Sequence, residues 1–148
     1  MVSGYFNPIH AGHVEYLRLA REFVGPGGRV IAIVNSDAQS MLKKGSSLVP
    51  QEDRRRVVEA VRYVDAAIVS VDSDRTVRET LRQLSASDPR PTHFVNGGDV
   101  VSSCSEERVC EELGIQLIYG LGDKIQSSSW ILERAARQPY EPEYYVKT

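Results

Sequence analysis

The sequence predicts a single α/β domain: a Rossmann-like, doubly wound, five-stranded parallel sheet with helices on both faces. Three observations carry that expectation. The chain has 148 residues, 41% hydrophobic and 26% charged, which suits one domain with one substantial core. Short β-branched runs alternate with amphipathic stretches along it. The run Val30-Ile31-Ala32-Ile33-Val34 is apolar throughout, as in a strand covered on both faces.

Each element has its own signal. Val2 to Tyr5 reads as a first strand, with few residues before Gly4. His13 to Val24 reads as a helix, because Val14, Leu17, Ala20 and Val24 recur at helical spacing. Gly25-Pro26-Gly27-Gly28 stops it, and Arg29 to Val34 is the second strand. Ser36 to Leu42 is a short helix, and Lys43 to Val49 a polar loop. Pro50 starts a helix reaching about Val61, with Val57, Val61 and Val64 on its apolar side and Glu52 and Asp53 in its first turn. Ala66 to Val71 is the third strand. Thr76 to Leu84 is a helix burying Val77, Leu81 and Leu84. His93 to Val95 is the fourth strand, and His93 reads as structural. Ser105 to Leu113 is a helix stopped by Gly114, Ile115 to Tyr119 the fifth strand, and a last helix begins near Ser128. The domain spans residues 1–137. The tail 138–148, with Tyr140, Tyr144 and Tyr145, is expected to pack on the body or on a partner subunit.

Bulk properties exclude several classes. A formal net charge of -2 gives no global basic field for nucleic acid. No apolar run approaches a membrane span, and the N-terminus lacks a signal-peptide layout. Cys104 and Cys110 read as reduced thiols of a cytoplasmic protein. If both lie on one helix, six residues of rise separate them by about 9 Å, too far for a disulfide.

Ligands of doubly wound sheets bind beyond the carboxyl ends of the strands, where strand order reverses. The loops after strands one, two, four and five therefore share one rim. In the first, Gly4-Tyr5-Phe6-Asn7-Pro8-Ile9-His10-Ala11-Gly12-His13 leaves a strand and enters a helix. Gly12 clears space for a phosphate, and the helix start offers unpaired N–H groups. His10 and His13 can both donate to phosphate oxygens. As residue types alone they are equally an incidental pair, or two metal ligands lacking a third. Lys124-Ile125-Gln126-Ser127-Ser128-Ser129 ahead of the last helix is either a phosphate cradle or a serine-rich cap. Lys43 and Lys44 are a solvated pair, or a mobile loop that closes on phosphate. Asn96-Gly97-Gly98-Asp99 is a tight turn, or a flat backbone platform for a base. The run Arg54 to Arg56 reads as mostly solvated.

The first motif, Gly-x-Phe-Asn-Pro-x-His-x-Gly-His, resembles the H-x-G-H signature of the cytidylyltransferase-like nucleotidyltransferases. Gln126 to Ser129 is similar to their second signature, I-S-(S/T)-(S/T), with Gln126 for Ile and Lys124 where glycerol-3-phosphate cytidylyltransferases carry Arg. Glu52-Asp53-Arg54 through Arg62-Tyr63-Val64-Asp65 resembles a stretch shared with heptose-phosphate adenylyltransferases, as does Gly97-Gly98-Asp99. The resemblance covers Val2 to about Arg137. It implies catalytic roles for His10, His13 and Lys43. It implies nucleotide or phosphate contacts from Tyr5, Phe6, Asn7, Gly12 and Lys44, and from the Gly97–Asp99 and Lys124–Ser129 stretches. Arg62 would meet the acceptor phosphate. The implied reaction is transfer of CMP from CTP to a small phosphorylated alcohol, amine or polyol, with release of pyrophosphate. ATP with a sugar phosphate of the heptose type is the alternative. A non-catalytic nucleotide-binding module is the reading from another class. Mg²⁺ would come with the triphosphate, held mainly by its oxygens rather than by the protein. Homodimerisation is implied by the resemblance alone. A dinucleotide-binding oxidoreductase is disfavoured, because the first loop has no G-x-G-x-x-G.

Overall fold

Strands and helices alternate in the computed structural model, which describes residues 1–98, 100 and 102–137. The elements are β1 (Val2–Gly4), α1 (Ala11–Val24), β2 (Ile31–Val34), α2 (Asp37–Lys44), α3 (Gln51–Glu59), β3 (Ala66–Val69), α4 (Arg78–Ser85), β4 (His93–Gly97), α5 (Glu107–Leu113), β5 (Gln116–Leu121) and α6 (Ser128–Arg137). The strands form one parallel sheet in the order β3-β2-β1-β4-β5. The chain winds outward from β1 to β3, then returns to place β4 on the other side of β1. Strand order therefore reverses between β1 and β4, which is where a crevice opens in such sheets.

The apolar run in β2 explains the two layers. Side chains alternate across a strand. Ala32 and Val34 pack with Leu17 and Ala20 of α1 and Val58 of α3. Ile33 points the other way, to Leu81 of α4 and Val109 and Cys110 of α5. Each fully buried aliphatic side chain contributes about 1.5–3 kcal/mol relative to exposure.

Several boundaries differ from the sequence expectation for identifiable reasons. α1 begins at Ala11 because His10 caps it. α2 runs through both lysines to Lys44, where a polar loop was expected. Its start is fixed by a reciprocal cap between Ser36 and Gln39, and its end by Gly45 in a left-handed conformation, φ 71°. On α3 the buried side is one residue out of phase: Val58 is fully buried, whereas Val57 is 47% exposed. Arg54, one turn before Val58, shares the buried side at 1% exposure, so the expectation that it is solvated is corrected. Cys104 precedes α5, so the two cysteines do not share a helix, and both are free. Among the described residues no helix is long and apolar enough to cross a membrane.

Candidate active site

The first loop is built around its own backbone bonds. Phe6 turns the chain out of β1 with a positive φ of 50°. Its ring folds back against Gly4, where an added Cβ would lie 3.1 Å from it. The backbone N–H of Gly12 donates to His10 Nδ1 at 3.1 Å, and the N–H of His10 donates to His13 Nδ1 at 3.2 Å. A ring nitrogen that accepts carries no proton, so both imidazoles hold theirs on Nε2. The rings stack, with centroids 3.8 Å apart. Burial lowers the His10 pKa, and the charges of Lys124 and Lys44 lower it further. Burial, then His10 and Lys44, holds His13 down to about 3. At neutral pH the loop therefore presents two uncharged imidazoles, each with an N–H to donate.

The start of α6 meets this loop from the other end of the chain. Ser127 caps the helix, its Oγ accepting from the Trp130 N–H at 3.2 Å. Ser128 Oγ donates to the Pro8 carbonyl at 3.1 Å, tying the cap to the first loop. A Cβ on Gly12 would lie 3.0 Å from the Gln126 carbonyl, so glycine permits the approach. Gly98 is tighter still: an added Cβ would lie 1.7 Å from the Gly122 carbonyl oxygen. The ends of β4 and β5 are thus pressed together by a missing side chain.

Between β1 and β4 these loops enclose a cleft of about 690 Å³. That suits a nucleotide-sized ligand. Tyr5, His10, Gly12, His13, Lys43, Lys44, Gly97, Gly98, Lys124 and Gln126 to Ser129 all line it. The two lysines diverge. Lys43 Nζ sits 4.2 Å above the Tyr5 ring, whereas the charge of Lys44 reaches both imidazoles. Lys124 lies 5.5 Å from the Trp130 ring. The lysines belong to helix α2 and not to a loop, so the expected mobile loop is corrected as well.

Three expected contacts lie elsewhere. Phe6 is buried at 1% exposure beneath the first loop, its ring centroid 4.8 Å from that of His13. Asn7 is also buried; its Oδ1 accepts from the Val49 N–H at 2.8 Å and its Nδ2 donates to Ser47 Oγ at 3.3 Å. It braces the segment after α2 instead of facing the cleft. Arg62 is exposed and stands at the opposite end of the sheet. Its neighbour Tyr63 accepts from Arg21 Nε at 3.3 Å, and Asp65 accepts from the N–H of Val30, just before β2, at 2.7 Å. α3 runs back from the rim to the amino ends of the strands and carries Arg62 away with it. His93 stacks edge-on with Phe23, away from the cleft. Asp99 and the tail 138–148 lie outside the described residues.

Further residues reach the cleft that the sequence reading did not assign to it, Arg75 and Glu106 among them. Arg75, in the loop after β3, lines it, and Glu106 does so from the start of α5. The available signal was positional: the loop after β3 also opens on the carboxyl rim. Arg54 supports the site from below. It donates to the carbonyls of Tyr5 (2.7 Å), Asn35 (2.6 Å) and Val49 (2.7 Å), and pairs with Asp37 at 2.8 Å. Among the described residues no three histidine, cysteine or carboxylate side chains gather as a metal cage.

Residues 1–140 match the family described as cytidylyltransferase-like. The FAD synthase of Pyrococcus horikoshii is 41% identical over 119 residues, covering 79% of this chain and 74% of that one. That of Archaeoglobus fulgidus is 42% identical over 74 residues, about half of each chain (50% and 51%). The bifunctional protein HldE of Cronobacter sakazakii is 34% identical over 132 residues, 76% of this chain but 27% of HldE. In fold, the chain resembles the lipopolysaccharide core biosynthesis protein from Thermoplasma volcanium, with TM-score 0.66 and 17% identity over 85% of this chain and 96% of that one.

Proposed function

The chain belongs to the cytidylyltransferase-like family of nucleotidyltransferases, and on that premise we propose that it transfers AMP from ATP to a small phosphorylated acceptor, releasing pyrophosphate. The observation that carries this reading is the meeting of two neutral, N–H-donating imidazoles with two helix starts in one cleft. ATP replaces the CTP expected from the sequence because the named relatives include FAD synthases, whose product contains an adenylyl group.

In this reading an oxygen of the acceptor phosphate attacks the α-phosphorus in line. The new P–O bond forms as the bond to the β-phosphate oxygen breaks, and pyrophosphate leaves without a covalent enzyme intermediate. His10 and His13 donate through Nε2–H to α-phosphate oxygens as negative charge grows there. Lys44 and Lys124 offset that charge, and the first turns of α1 and α6, with Ser127 and Ser129, hold the β- and γ-phosphates. Mg²⁺ fits as a companion of the triphosphate, bound mostly through its oxygens and water. It would neutralise the leaving pyrophosphate, with Asp123 the carboxylate of this rim nearest the cradle in sequence.

The test is pyrophosphate release from ATP or CTP, each mixed with flavin mononucleotide, a sugar 1-phosphate or a polyol phosphate. Release that requires both ATP and a phosphorylated acceptor supports the proposal. Preference for CTP returns the cytidylyl reading. Tight triphosphate binding with no release from any pair makes the chain a non-catalytic binding module.

A further inference from the structure

The acceptor must bring its own phosphate into the cleft, and Arg62, the residue expected to receive it, stands at the far end of the sheet. The cleft does contain a guanidinium. Arg75 is the one arginine among the described residues that line it. We propose that Arg75, together with Lys43 over the Tyr5 ring, forms the subsite for the acceptor's phosphate; this rests on the transferase reading above.

Three observations carry it. First, Arg75 is held in place by a buried clamp. Gln39 is fully buried, and its Nε2 donates at 2.7 Å to the carbonyls of both Asp74 and Thr76, the residues flanking Arg75. Its Oε1 accepts from the Ser36 N–H at 2.9 Å and from Asn35 Nδ2 at 3.0 Å, so the amide has a partner on each side. From the far side, Glu106 accepts the Val77 N–H at 3.1 Å. An exposed polar loop is here fixed on either side of one arginine. Second, the charges are arranged for an anion. Among the described residues no carboxylate lies within ion-pairing distance of Arg75, whereas Arg18, Arg54, Arg55 and Arg78 are each paired. Glu106, the nearby acid, is occupied by the Val77 N–H and the Ser105 hydroxyl. The charge of Arg75 opposes the rise that burial gives the Tyr5 hydroxyl's pKa, and Lys43 Nζ lies 4.2 Å from the centroid of that ring, so two cations stand near one aromatic side chain that lines the cleft with them. A guanidinium fork matches two phosphate oxygens at once, and the ammonium adds a point charge. Third, the cations are divided. The charges of Lys44 and Lys124 bear on His10 and that of Lys44 on His13, whereas Lys43 and Arg75 stand at Tyr5. In this proposal the pair at the imidazoles serves the transferring phosphate and the pair at Tyr5 the attacking one.

The experiment uses the full chain loaded with α,β-methylene ATP and Mg²⁺, titrated with inorganic phosphate and followed through the Tyr5 ring resonances. With the triphosphate cradle filled, phosphate is expected to shift Tyr5 saturably. Arg75→Ala should weaken that response about tenfold or more, and Arg75→Lys less, while analogue affinity stays within about twofold. Arg75 is exposed, so neither variant should change the melting temperature appreciably. A Tyr5 ring insensitive to phosphate overturns the proposal. So does an Arg75→Ala variant that loses analogue affinity to the same degree, because Arg75 would then serve the triphosphate. If the analogue does not bind the wild-type chain, the ATP reading fails separately. Titrating the unloaded chain and Arg75→Ala then decides the Arg75 subsite by the same Tyr5 criterion.

Discussion

The imidazole protons of His10 and His13 are placed by backbone N–H groups, and among the described residues no carboxylate bonds to either ring. This has a consequence for pH. Both pKa values lie below the unfolded value of 6.5, His13 at about 3. Between those limits the unfolded chain binds more protons than the folded one. The stability from these groups is therefore fully present above about pH 6.5 and is lost as pH falls toward the folded values. Nitrogen NMR of the unliganded chain should show both rings neutral and protonated at Nε2 at pH 7, with His13 still neutral near pH 5. Denaturant midpoints should fall over the same interval. A second prediction concerns turnover. His13→Ala should lower kcat by about 100-fold or more while changing the triphosphate Kd only a few-fold, because the donated bond matters most when charge develops. Parallel mild losses in both parameters would contradict the assigned role.

That His10, His13 and Ser127 to Ser129 line one cleft was legible because each set lies in a short stretch between a strand and a helix. Arg54 was not. It is one of three consecutive arginines, and only the phase of α3 selects it for burial. Replacing it by Met would leave the carbonyls of Tyr5, Asn35 and Val49 without their donor. Loss of about 3 kcal/mol or more is expected in equilibrium unfolding. A loss below about 1 kcal/mol would mean that the bonds are replaced by water.

At the scale of elements, strand and helix identities followed from periodicity, and the discrepancies share one cause: polar residues recruited into structure. An apolar pattern counts Val57 and overlooks Arg54, so α3 is read one residue out of phase. The lysines ending α2 look like loop, yet the Ser36–Gln39 cap and Gly45 define a helix that delivers them to the cleft. Gln39 joins that cap to the loop carrying Arg75, a long-range pairing that no local pattern contains. Contact between elements also makes a prediction. Gly98→Ala would place a methyl group 1.7 Å from the Gly122 carbonyl oxygen and force the ends of β4 and β5 apart. A stability loss of about 1–3 kcal/mol is expected, with weaker triphosphate binding. Unchanged melting and binding would show that this approach is not required.

At the scale of the whole molecule, the order β3-β2-β1-β4-β5 is what brings distant parts of the chain together. It sets the start of α1 against the start of α6, so that Ser128 reaches Pro8 across 120 positions of sequence. The rim was legible as a consequence of doubly wound topology; which arginine stands on it was not, because that depends on where α3 ends and how the loop after β3 is held. Adenylyl transfer onto a phosphate is the activity proposed for this cleft. The most direct measurement follows ATP labelled at its α-phosphorus, incubated with Mg²⁺ and the phosphorylated acceptors. The expected result is label in an adenylylated acceptor, with an equal amount of pyrophosphate, and near-complete loss of both in His13→Ala. Label remaining in ATP while α-labelled CTP is transferred, or transfer unaffected by His13→Ala, would contradict it.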